Sequence, residues 1–130
     1  MSTSAKHVAE AFIDELLRHD WESAWSMLSE TATIFISGRN VLSGTFTSPS
    51  HYRQTQSWIF REHDAGIDVT GCSALLIDGE TAVALVQERA HRDHQMIEYR
   101  RIYVLTMHAG QIVEWRIVDE DPYALDAFWE

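Results

Sequence analysis

With 130 residues the chain has room for one domain, which rules out a separate cofactor module beside a catalytic one. Hydrophobic residues at 45% and charged residues at 23% match a globular composition and exclude a disordered or collagen-like chain. Ten Lys and Arg against twenty Asp and Glu give a net charge of -10, which repels phosphate backbones and anionic bilayers, so neither nucleic acid nor a membrane is an expected partner.

Val8, Ala9, Phe12, Ile13, Leu16 and Leu17 recur at helical spacing, with Ser2 to Ser4 as caps, and predict an amphipathic first helix. Asp20 caps a short second helix with Trp21, Ala24, Trp25 and Leu28 on one stripe, and the β-branched run Thr31 to Ile36 predicts the first strand. Ser37-Gly38-Arg39-Asn40 and Ser43-Gly44 mark a loop. Ser48-Pro49 then supplies an N-cap and a first-turn proline for a third helix from about Pro49 to Arg61.

Asp78-Gly79 lies between two apolar runs and is a strong hairpin signal, so strands near 67–77 and 80–92 pair antiparallel. Arg92-Asp93-His94-Gln95 and Ala109-Gly110 make the next turns, giving strands near 96–108 and 111–119, and Asp121-Pro122 starts a short helix through Leu125 and Phe128. The pattern reads as one α+β domain over residues 1–130, three N-terminal helices packed on a curved antiparallel sheet that forms a cone.

That order of elements, and the string Gly110-Gln111-Ile112-Val113-Glu114-Trp115-Arg116-Ile117-Val118-Asp119, resemble the NTF2-like superfamily, especially its SnoaL-like and ketosteroid-isomerase-like members. The resemblance covers nearly the whole chain. It implies the cone fold, and dimers formed through the outer sheet face.

Two-residue turns fix register, and residues opposite one another share a face. A turn at Asp93-His94 sets His91 opposite Met96, Arg89 opposite Glu98 and Gln87 opposite Arg100; a turn at Ala109-Gly110 sets Arg100 opposite Asp119, Ile102 opposite Ile117 and Val104 opposite Trp115. The Asp78-Gly79 turn places Asp68 opposite Arg89 unless Gly71 is a bulge. The expected cavity face is then an apolar floor of Val83, Leu85, Ile102, Val104, Trp115 and Ile117 with a polar end of Gln87, Arg89, His91, Glu98, Arg100 and Asp119, which suits a small organic ligand. The alternative is that Arg89–Glu98 and Arg100–Asp119 are structural cross-strand ion pairs.

Ketosteroid isomerases, which this chain resembles, use a tyrosine, an aspartate base and a later acid, and those positions fall on Phe12, Ile36 and Ile102, none of which moves a proton. Limonene-epoxide-hydrolase-like members use an aspartate–arginine–aspartate relay. Their "E-R-x-D" strand reads Glu88-Arg89-Ala90-His91 here, and the last-strand aspartate becomes Ile117, near the position where SnoaL-like cyclases also place their acid/base aspartate. What remains is His91 as acid/base and Arg89 as oxyanion partner, with Glu98 and Asp119 beside them; the alternative is that His91, next to the Arg92-to-Gln95 turn, is simply solvated at the cavity mouth. Trp21, Trp25, Trp58 and Trp115 sit at positions where large aromatics fill core volume; the alternative expectation is that Trp115, Trp25, Tyr52 and Trp58 line the cavity and stack on a flat ligand, together with Phe12, Ile36, Ile102, Ile117, Gln87 and Arg100.

The opposite face presents Ala82, Ala84, Val86, Glu88, Tyr99, Arg101, Tyr103, Leu105, Glu114, Arg116 and Val118, too apolar for solvent, and is the expected homodimer interface. Trp129 either caps the cone or belongs to a partner contact. The lone Cys72 forms no internal disulfide, the His91-Asp93-His94 spacing suits no metal, and no phosphate loop or nucleophile elbow occurs, so no cofactor is expected. The N-terminal residues lack a basic region leading into an apolar one, and a reducing cytoplasm is the expected compartment. The expected function is that of a cofactor-independent lyase, isomerase or cyclase acting on a small hydrophobic molecule. The alternatives are a non-catalytic ligand-binding or interaction module and a structural dimer with a filled cone.

Overall fold

Ten elements follow one another through residues 4–130, the part of the chain that the computed structural model describes; Ser2 and Thr3, named above among the caps, lie outside it. Helix α1 (Ala5–Leu17) starts where Ser4 Oγ accepts the His7 amide, and α2 (Trp21–Ser26) where Asp20 accepts that of Ser23. Strands β1 (Leu28–Ile36) and β2 (Gly44–Phe46) form a hairpin, and α3 (Pro49–His63) begins at the Ser48 cap with proline in its first turn. Strands β3 (Gly66–Asp78), β4 (Thr81–Arg92), β5 (Gln95–His108) and β6 (Gln111–Asp119) form the meander, and α4 (Pro122–Phe128) follows from the Asp121 cap.

The sheet order is β2-β1-β6-β5-β4-β3. Its pairs are antiparallel except one: β1 runs parallel to β6, so the sheet is mixed rather than wholly antiparallel as expected. Among the described residues no helix is long and apolar enough to cross a membrane.

The turn between β4 and β5 gives the expected register, with Arg89 opposite Glu98 and Gln87 opposite Arg100. Both its residues take positive φ, 47° at Asp93 and 69° at His94, as the tight hairpin demands. The next hairpin starts as expected, with His108 opposite Gln111, but then pairs Met107 with Ile112 and Thr106 with Glu114, leaving Val113 as an extra residue in β6. A bulge of one residue reverses the side-chain alternation beyond it. Asp119 therefore faces Arg101 rather than Arg100, Ile117 faces Tyr103 rather than Ile102, and Trp115 faces Leu105 rather than Val104. The first hairpin turns at Gly79-Glu80 rather than Asp78-Gly79, with Asp78 opposite Thr81, and Asp68 still lies opposite Arg89 because two register shifts along β3 offset that displacement.

The consequence is an exchange of faces along β4 and β5. Ala82, Ala84, Val86, Glu88 and Ala90 are buried beneath the helices, with Arg101, Tyr103, Leu105 and Met107 beside them, while Val83, Leu85, Gln87, Arg89 and His91 lie on the convex side. Small residues on the inner side of β4 allow α1 to settle on the sheet through Val8, Ala9, Phe12, Ile13 and Leu16, all buried in one core cluster with Trp115 and Ile117. A second cluster of Leu42, Ile59, Ala90, Leu125 and Trp129 includes the C-terminal helix, and Trp129, 1% exposed, packs within the molecule.

Candidate functional site

Three charged residues are buried inside the cone, Glu88 on β4, Arg101 on β5 and Asp119 on β6, at 2%, 3% and 7% exposure. They share the inner face because Glu88 and Arg101 alternate with inward Val86, Ala90 and Tyr103, and the Val113 bulge turns Asp119 toward them. Arg101 joins the carboxylates: Nε donates to Asp119 Oδ1 at 2.7 Å and Nη1 to Glu88 Oε1 at 3.3 Å, while Nη2 has no partner among the described residues. Glu88 also accepts from the Tyr99 hydroxyl at 2.7 Å and from that of Tyr103. The Ser37 hydroxyl donates to Asp119 Oδ2 at 3.3 Å and accepts the Asp119 amide at 2.9 Å.

Burial, and then the Glu88 charge, hold the Tyr99 and Tyr103 hydroxyls well above the usual tyrosine range. Tyr52 on α3 is raised by burial, with Arg101 and Glu88 close enough to modulate it in opposite directions. All three phenols are therefore hydrogen-bond donors at neutral pH. For Arg101, burial alone works against the charge, but Glu88, Tyr99 and Asp119 outweigh it and keep the guanidinium protonated.

Aromatic rings fill the cone above this group. Trp115 makes edge contacts with Phe12 at 5.0 Å and Tyr103 at 5.2 Å, and Trp25 lies 5.9 Å from Trp115 and 5.5 Å from Tyr52. At the mouth, Trp21, Trp25, Arg53, Gln56, Phe60 and Asp68 are among the residues lining a cleft of about 340 Å³. Gln56 Nε2 donates to the Tyr52 hydroxyl at 2.8 Å. A hydrogen-bonding residue thus leads from this cleft to Tyr52, beneath which the buried charges lie.

Of the residues expected at the site, Asp119, Phe12, Ile36, Tyr52, Trp115 and Ile117 are buried inward and Trp25 is partly buried at the mouth. The others are not with them. Arg89, His91 and Glu98 are exposed on the convex face with Arg100, and Gln87 and Ile102 share that side, because the reversed alternation carries all six outward. Arg100 pairs with Glu120 at 2.8 Å instead of Asp119. Gln87, Glu98 and Arg100 do line a groove of about 510 Å³ with Thr70 and Glu120, and Glu88 and Tyr99 of the buried group also form part of its wall. Trp58 is 60% exposed on the outer side of α3 and lines no part of the cone.

The face expected at a dimer interface is corrected along β4 and β5, where Glu88, Tyr99, Arg101 and Tyr103 point into the cone with Ala82, Ala84, Val86 and Leu105, while Glu114, Arg116 and Val118 of β6 do lie on the outer side. The residues missed, Glu88, Arg101, Tyr99 and Tyr103, had a signal in the sequence. Alternate small residues in β4 opposite large apolar ones in β5 describe a face under a helix, and the apolar character taken as an interface belongs to the core.

No family model matches the chain, and no curated protein matches it. Solved structures do. An NTF2-like protein from Burkholderia thailandensis superposes with a TM-score of 0.76 at 16% identity, covering 88% of this chain and 89% of its own. A candidate SnoaL-like polyketide cyclase from Mesorhizobium loti gives 0.71 at 15% identity over 88% and 98%. TerC, crystallised with polyporic acid, gives 0.79 at 12% identity over 95% of each chain. The fold is NTF2-like, of the SnoaL-like kind.

Proposed function

We propose that the protein binds a small hydrophobic organic molecule at the mouth of the cone and acts on it without a cofactor, as a lyase, isomerase or cyclase, with Glu88, Arg101 and Asp119 as its acid–base group. The observation that carries this reading is the buried carboxylate–guanidinium–carboxylate set itself. Buried ion pairs are expensive, and apolar side chains of similar volume serve stability equally well, so such a set at the base of a cone is better explained by chemistry. It has the make-up of the aspartate–arginine–aspartate relay of limonene-epoxide-hydrolase-like enzymes, but its members come one from each of three adjacent strands.

In this reading the protonated Tyr52 hydroxyl, at the inner end of the path from Gln56, donates to a ligand oxygen, and Arg101 stabilises negative charge that develops there. One of the paired carboxylates moves the proton. From the mouth cleft, reaching them requires Trp25 or Tyr52 to shift, since both rings belong to the aromatic packing, whereas Glu88 also borders the groove of about 510 Å³ beside Tyr99. The aromatic packing favours a different reading, a structural cone filled by its own side chains.

A thermal-shift screen of polyketide, terpenoid and steroid-like compounds, with polyporic acid included because TerC was crystallised with it, separates the readings. A compound that raises the melting temperature and is turned over by the wild type but not by Glu88→Gln supports the enzyme. Binding without turnover supports the module, and no binding leaves the filled structural cone.

The partner reading now attaches to the other side of the sheet. Leu76 and Leu85, 68% and 42% exposed, share the convex face with Val83, Ile102, Val104 and Val118, an apolar surface suited to a second copy of the chain.

A further inference from the structure

Arg53 lines two clefts at once. One is the mouth cleft with Trp21, Trp25, Gln56 and Phe60; the other, about 600 Å³, holds Trp25, Leu28, Glu30, Pro49, Ser50 and Gln54. Its guanidinium stands 5.4 Å from the centroid of the Trp25 ring, so the arginine and the indole together divide the two spaces. Among the described residues lining either cleft, Arg53 is the one cation; Glu30 and Asp68 are the anions.

The Arg53 side chain is tied across to α2 through a single contact from Nη2 to Glu22 Oε1, and Glu22 is 81% exposed. An ion pair so open to solvent contributes little, and a guanidinium has further donors in a planar fork that one carboxylate oxygen does not occupy. An incoming anion could therefore take Glu22's place, or share the fork with it, at small cost, while gaining the bidentate geometry that arginine offers.

We infer that Arg53 is the recognition residue for an anionic group on the ligand, which is then a flat aromatic acid: its carboxylate or enolate binds Arg53 while its rings lie along Trp21, Trp25 and Phe60. This rests on the ligand-site reading above and adds the charge of the substrate class to it. It also gives Glu22 a role as a competing anion that holds Arg53 in place over Trp25 when no ligand is bound.

The test is isothermal titration with two probes of one shape, anthracene-2-carboxylate and the neutral anthracene-2-carboxamide, at low and at high salt. The carboxylate binds wild type more tightly by about tenfold, and added salt narrows the difference. Arg53→Gln abolishes the difference, whereas Glu22→Gln tightens the carboxylate severalfold and leaves the amide unchanged. Because both side chains are substantially exposed, circular dichroism and melting of each variant should match wild type. Equal affinity for the two probes, with neither substitution mattering, overturns the role of Arg53 and leaves the ligand site standing. Weaker carboxylate binding by Glu22→Gln also overturns it. Binding of neither probe counts against the site and the inference together.

Discussion

Arg101 meets Asp119 across neighbouring strands, Nε to Oδ1 at 2.7 Å, because Val113 stands outside the ladder between β5 and β6. In an unbulged hairpin Arg100 would hold that place, and the aspartate would face the convex side. One residue in one strand thus decides which arginine is buried between two carboxylates.

Substituting the two arginines should separate these positions. Arg101→Met leaves Glu88 and Asp119 uncompensated in the interior and should cost about 3–5 kcal/mol. Arg100→Met removes an exposed pair with Glu120 and should cost less than about 1 kcal/mol. Denaturant unfolding of both variants checks the contrast; similar losses would mean that the buried set is not under electrostatic strain when broken.

The convex polar residues give the complementary prediction. Arg89→Gln and His91→Ala, both at exposed positions, should each change stability by no more than about 0.5 kcal/mol and leave ligand affinity unaltered. Tyr52→Phe should weaken binding of an oxygenated ligand while the fold is kept, since only the hydroxyl that accepts from Gln56 is lost. Loss of binding in His91→Ala would move the site back to the convex face.

Alkaline unfolding follows from the three buried phenols. Burial, first of all, raises Tyr52, Tyr99 and Tyr103 above the ordinary value near 10, so between that value and their folded ones the native state holds protons that the unfolded chain releases. Their contribution is fully present below about pH 10 and is lost as pH rises through the folded values. Stability measured against pH should therefore fall steeply above that point, and Tyr103→Phe should flatten the fall by removing one titrating group. An unchanged slope in this variant would contradict the assignment.

Self-association is tested on the convex patch. Leu85→Glu places a charge at the centre of the apolar surface formed with Leu76, Val83 and Ile102, and should shift a dimer to monomer in sedimentation. Wild type that sediments as a monomer at micromolar concentration would remove the second copy as a partner.

Local chemistry was legible in the sequence wherever a few neighbouring residues decide it. Asp20, Ser48 and Asp121 cap their helices, Pro49 and Pro122 enter first turns, and the Asp93-His94 hairpin sets the β4–β5 register. The parallel pairing of β1 with β6 left no trace, because it joins segments far apart in the chain. Nor did the bulge, since Val113 looks like any other strand residue; its effect was to exchange the faces and hide Glu88 and Arg101 among residues read as outer ones. Asp119, Trp115 and Ile117 were placed inward all the same, because that reading of β6 alone was correct.

The most direct measurement is a crystal structure of the protein soaked with a compound that raises its melting temperature in the screen. Density is expected in the mouth cleft between Trp21, Trp25 and Phe60, with a ligand oxygen reaching Tyr52 and the Trp25 ring displaced from its contact with Trp115. Density confined to the convex face, or an empty cleft beneath unchanged aromatic packing at full ligand concentration, would contradict a ligand site at the mouth of the cone.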